Sequence, residues 1–146
     1  GPVPPGTGGA MKHEEFIGQV HARAQLPGWG EAERATRAVL ETLGERITEG
    51  LADNLAAQLP HEIGEHLRRT EVYGGSGTGE AFDRKEFINR VSRRAGVDEP
   101  KAAYLARVVL EVTEEATQGR IVAKVRDSLP EDIRTLVGAG SAGRAD

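Results

Sequence analysis

The sequence predicts an all-α protein in which one four-helix unit occurs twice and the two copies pack as a single pseudo-twofold helical bundle. Three observations predict it. Apolar residues recur three and four positions apart, the period of a helix that buries one face. The same ordered pattern returns about 70 residues later. Between the two occurrences lies Gly74-Gly75-Ser76-Gly77-Thr78-Gly79, a flexible linker by composition.

The recurrence is specific in order and spacing. At an offset of 71, Glu15-Phe16-Ile17 returns as Glu86-Phe87-Ile88, Val20 as Val91, Arg23 as Arg94 and Ala24 as Ala95. The loop that follows changes length by one residue, and the offset becomes 70. Arg37 then matches Arg107, Val39-Leu40-Glu41 matches Val109-Leu110-Glu111, Glu45 matches Glu115, Leu59-Pro60 matches Leu129-Pro130, and Ile63 matches Ile133. The expected organisation is a first helical unit over 11–69, a Gly-rich linker over 70–82 and a second unit over 83–138. The Pro- and Gly-rich residues 1–10 and the small, polar tail 139–146 are expected to be disordered. The Gly1-Pro2 start reads as a protease scar from expression, with Met11 as the native start.

Each unit reads as four helices. The first buries Phe16, Ile17, Val20 and Ala24, and its partner buries Phe87, Ile88, Val91 and Ala95. Asp83 is placed to cap the partner helix with Glu86 three residues on, and Gly96 to stop it. The second helix, from about Glu31 to Ile47, presents Ala35, Val39, Leu43 and Ile47; its partner follows an Asp98 cap and presents Leu105, Val109 and Val112. The third presents Leu51, Leu55 and Leu59, and its partner Ile121, Val125 and Leu129, with Thr48 and Thr117 as caps. Pro60 and Pro130 end these helices and favour a fresh first turn. Short fourth helices follow, carrying Ile63 and Leu67, then Ile133 and Val137. The β-branched run Arg120-Ile121-Val122-Ala123-Lys124-Val125 reads as strand or helix by itself. Its counterpart around Leu51 to Leu59 is helical, and the repeat decides for helix.

Composition narrows the function. The chain has 19 basic and 23 acidic residues, a net charge of −4, so no global attraction to nucleic acid or an anionic membrane is expected. It has no cysteine, which excludes disulfides, thiolate metal sites and a cysteine nucleophile and suits a reducing cytoplasm. No stretch approaches the roughly 20 apolar residues that span a bilayer. Lysine appears only at Lys12, Lys85, Lys101 and Lys124, and the preference for arginine fits a GC-rich bacterial genome.

The motifs that suggest chemistry do not complete it. His61-Glu62-Ile63-Gly64-Glu65-His66 resembles a zinc-protease helix, but its histidines are five apart, about 140° around a helix, where one metal needs them four apart. His13 and His21 are eight apart, and no histidine of the first unit recurs in the second, so a symmetric metal site is not expected. Gly74 and Gly79 have phosphate-loop spacing, yet Glu80-Ala81 stands where Lys and Ser or Thr belong. Ser76 is not in a nucleophile elbow, since Thr78 occupies the second glycine position. The acidic pairs Glu14-Glu15, Glu114-Glu115 and Glu131-Asp132 diverge by about 100° on a helix and suit helix starts rather than acid-base work. One local basic surface stands out, on the fifth helix, where Arg90 and Arg93 should face outward with Arg94 at the edge of the buried stripe. Glu86, four residues before Arg90, competes for it.

Glu-Phe-Ile, a small-residue turn, Val-Leu-Glu and Leu-Pro, all occurring twice, resemble the bacterial family known as domain of unknown function 2267, over nearly all of Met11 to Gly138. That resemblance implies a soluble duplicated helical protein and supplies no catalytic residues. Glu86-Phe87-Ile88, Val91, Ala95-Gly96-Val97, Ala102-Ala103 and Val109-Leu110 also resemble the helical hairpin of HU-type DNA-binding proteins. In those proteins β-arms follow the hairpin and grip the minor groove; here a Leu-Pro helix pair follows instead.

The expectation is therefore a non-enzymatic cytoplasmic binding or scaffold protein acting through protein contacts, with no catalytic residue, metal or cofactor assigned and homo-oligomerisation open. Its alternatives are weak nucleic-acid binding through Arg90, Arg93 and Arg94, and a small metal-dependent hydrolase using His61, His66 and nearby carboxylates.

Overall fold

A computed structural model describes residues 11–72, 81–118 and 120–138. The segments 1–10, 73–80 and 139–146, which carry the expected scar, glycine run and tail, lie outside the described residues. Eight helices form among the described residues and no strand. They are α1 (His13–Ala24), α2 (Trp29–Arg46), α3 (Glu49–Ala57), α4 (His61–Val72), α5 (Arg84–Ala95), α6 (Glu99–Ala116), α7 (Ile121–Ser128) and α8 (Glu131–Arg134).

The boundaries follow local chemistry. The Lys12 backbone N–H donates to Glu15 Oε1 at 3.0 Å and opens α1. Asp83 accepts from the Glu86 N–H at 3.0 Å and Asp98 from the Lys101 N–H at 3.0 Å, so α5 and α6 start on aspartate caps. Thr48 accepts from the Leu51 N–H at 3.5 Å at the start of α3. Gly96 ends α5 with φ of 71°, a left-handed conformation that costs other residues about 1–2 kcal/mol. The β-branched run resolves as helix, α7, beginning at Ile121.

Two expectations are corrected. Thr117 does not cap α7: its hydroxyl turns back to donate to the Thr113 carbonyl at 3.0 Å, and Arg120 holds the cap position. The fourth helices are unequal, since α4 has 12 residues and α8 has 4. Within the stretch read as linker, α4 continues to Val72 and Phe82 packs against the core.

One cluster of buried apolar side chains draws on both units. Phe16, Val20, Phe87 and Val91 are fully buried, as are Val39 and Val109 on the second helices. Leu51 is half-buried and packs on the edge of this cluster. Three threonines lie inside it, Thr36, Thr42 and Thr113. Each hydroxyl donates to the carbonyl four residues back, at 2.9, 2.8 and 2.7 Å, so none is left unsatisfied. The packing crosses between the units in matched pairs. First helix α1 lies on α6, and its counterpart α5 lies on α2; α3 meets α7. Helix α4 seats on α2 and α3.

Candidate functional site

The three arginines singled out on α5 take different positions. Arg90 Nε donates to Glu86 Oε2 at 2.7 Å and Nη1 to Glu45 Oε1 at 3.0 Å. Its guanidinium carbon lies 3.9 Å from the centre of the Phe82 ring. Arg94 Nη2 donates to Glu45 Oε2 at 2.6 Å and Nη1 to Thr42 Oγ1 at 2.8 Å. The two arginines thus clamp one carboxylate from α2. Burial alone would raise the pKa of Glu45, but the hydrogen bonds and charges of Arg94 and then Arg90 outweigh it and hold the group below the ordinary carboxylate value. The Arg90 side chain is 19% exposed, so the expectation that it faces outward is corrected. Arg93 is the exposed member, at 68%, and lies 3.8 Å from Glu86.

A matching clamp joins the other two helices. Arg23 on α1 donates through Nη1 to Glu111 at 2.7 Å and through Nη2 to Glu115 at 2.6 Å, both on α6. The Glu115 hydrogen bond leads in raising the pKa of Arg23 above its ordinary value, against an opposing desolvation. The Tyr104 hydroxyl donates to the Arg23 carbonyl at 3.0 Å and ties α6 to the end of α1.

The first unit carries a feature at its α1–α2–α4 face that sequence reasoning did not assemble. A cleft of about 650 Å³ is lined by His13, Ile17, Gly30, Glu33, Arg34, Arg37, Glu62 and His66. His13 Nε2 stands 3.7 Å from Glu33 Oε2. Arg34 Nε donates to the Arg94 carbonyl at 3.3 Å, bringing the seam and the cleft side by side. Close to it stands Trp29, 44% exposed, the exposed large apolar side chain of the described residues. Its ring lies over Gly18, where an added Cβ would stand 3.9 Å from Cη2, and 6.4 Å from the His21 ring centre.

The second unit is an internal comparison. Where the first has Trp29, Glu33, Arg34 and His66, the second has Glu99, Ala103, Tyr104 and Leu136. Leu136 is fully buried, and Arg107, matching Arg37 of the cleft, is 4% exposed. The Asp132 carboxylate, matching Glu62, accepts from the Arg84 N–H at 3.0 Å. The signal that finds the cleft in the sequence is therefore a set of differences between the copies, above all the histidines and the tryptophan confined to the first.

The residues of the hydrolase alternative separate. His66 lines the cleft, while His61 is exposed outside its lining. Among the described residues, no three His, Asp or Glu side chains converge to hold a metal ion. No described helix is long and apolar enough to cross a membrane.

No curated protein matches the chain. The model of the family described as "Uncharacterized conserved protein (DUF2267)" matches residues 13–136, and the chain belongs to that family.

Proposed function

We propose that this is a non-enzymatic cytoplasmic binding or scaffold protein whose contact surface is the α1–α2 face of the first unit, with Trp29 as anchor. The observation that carries this reading is the half-exposed Trp29 at a position where the second unit has Glu99. Packing does not require an indole there, since the copy dispenses with it. Tryptophan supplies a large apolar area with one polar N–H and is enriched among the residues that dominate protein interfaces. Glu31, Glu33 and Arg34 surround it in sequence and are all exposed, a polar rim of the kind that encloses such anchors. Two units related by an approximate twofold axis form the frame of this proposal. The matched clamps support it, because each unit extends an arginine from its first helix to a glutamate on the other unit's second helix.

The test is affinity capture from the native cell with the full chain, its Trp29→Ala variant and a Glu99→Ala control, each checked for unchanged helical circular dichroism. Loss of a specific protein partner with Trp29→Ala and retention with Glu99→Ala is the expected result. Equal capture by all three overturns the assignment of the surface. A second copy of the chain as the captured protein identifies the scaffold as a homo-oligomer built on the same face.

A further inference from the structure

We infer that the cleft between α1, α2 and α4 binds a small zwitterionic molecule, its carboxylate on Arg37 and its ammonium group on Glu62. The inference is independent of the protein contact assigned to Trp29. At about 650 Å³ the cleft lies within the range of small-ligand sites, about 300–1,000 Å³. Arg37 and Glu62 both line it, yet neither forms an ion pair with the other or with any described residue. Two opposite charges therefore face one concavity and are left for an occupant to bridge. A guanidinium fork matches a carboxylate in shape, and an ammonium group directs its N–H donors to a carboxylate. Glu62 sits in the first turn of α4.

The rest of the lining selects the same class. A simple anion would meet Glu33 as well as Glu62, and a simple cation would meet Arg34 as well as Arg37. Two arginines and two glutamates balance, and a ligand that carries one charge of each sign is complementary to both walls. Ile17 also lines the cleft but is only 1% exposed, so the surface offered to the ligand is mainly polar. The second unit has nothing equivalent, because Leu136 is buried there at 0% exposure in place of His66.

The test is an amide NMR titration of the full chain with L-alanyl-L-alanine, beside N-acetyl-alanyl-alanine and alanyl-alaninamide, which lack the ammonium and the carboxylate in turn. The expected result is a saturable shift of the Arg37 and Glu62 amides with the free dipeptide and binding about tenfold weaker or worse for each analogue. Arg37→Ala and Glu62→Gln should each abolish it. Gly30→Leu is a further variant: Gly30 lines the cleft and an added Cβ there meets nothing within 4 Å, so the larger side chain is accommodated at the cleft wall and should block binding. The inference is overturned by the absence of saturable shifts at tens of millimolar dipeptide, by an analogue that binds as well as the dipeptide, or by binding that survives Gly30→Leu.

Discussion

Arg94 on α5 and Glu45 on α2 close at 2.6 Å, and Arg23 on α1 and Glu115 on α6, at the matching sequence offsets, also close at 2.6 Å. The equality of distance conceals a difference in environment. Glu45 is 16% exposed and accepts from two arginines, whereas Glu115 is 48% exposed. Burial makes hydrogen bonds to a charged group count for more, and solvent screens the exposed pair. Glu45→Gln should therefore destabilise the fold by about 2–3 kcal/mol and Glu115→Gln by about 0.5–1 kcal/mol, read from urea unfolding of the full chain.

The same carboxylate sets an acid dependence. Its pKa is depressed in the folded state, so its stabilising contribution is complete above the unfolded value, near the ordinary 4.5, and is lost as pH falls through the lower folded value. The stability gap between the native sequence and Glu45→Gln should be widest near about pH 6 and shrink on the way to about pH 3. Arg23 is displaced in the other direction, above its ordinary value, and its contribution stays constant through that window. A gap independent of pH would show that Glu45 gains nothing from its arginines.

Gly64 marks a close approach of α4 to α3. A Cβ at this position would stand 2.7 Å from the Ala56 carbonyl oxygen and 3.2 Å from its Cα. Gly64→Ala should cost about 1–3 kcal/mol by overpacking, despite the better helix propensity of alanine. Gly50→Ala in α3, where the new methyl group meets nothing within 4 Å, should instead raise stability by about 0.5 kcal/mol. Thermal or urea unfolding of the two variants separates these opposite signs.

Nucleic-acid binding through α5 is constrained by the same geometry. Arg90 and Arg94 are engaged by Glu45 and Glu86, which leaves Arg93 as the exposed arginine of the three. A salt series of fluorescence anisotropy with a short duplex should give a slope of log affinity against log salt no steeper than about −1, where three free arginines would give about −2 to −3. The steeper slope, removed by Arg90→Ala and Arg94→Ala, would return the basic face to consideration.

Much of the fold was legible because the signals are local. The caps at Asp83, Asp98 and Thr48, the stop at Gly96 and the one-faced apolar stripes of α1 and α5 each lie within one or two turns of sequence. Comparison with the matching stretch around Leu51 to Leu59 favoured helix for the β-branched α7, which propensity left open, and the stretch is helical. Arg90 was misplaced because periodicity places a residue on a helix face but does not say which distant helix covers that face; Glu45 is 45 residues away. The cleft was not legible for the same reason, since α1, α2 and α4 supply His13, Arg37 and Glu62 from three separate stretches. The different lengths of α4 and α8 follow from no single local signal, although Leu136 in place of His66 does foretell a closed second unit.

The claim that the contact surface lies on the first unit is tested most directly by placing the photo-crosslinker p-benzoylphenylalanine at position 29 and, in a separate variant, at the matching position 99. After irradiation in the native cell, position 29 should yield a discrete protein adduct and position 99 should yield none. The same adduct from both positions, an adduct from position 99 alone, or none from position 29 would contradict the account.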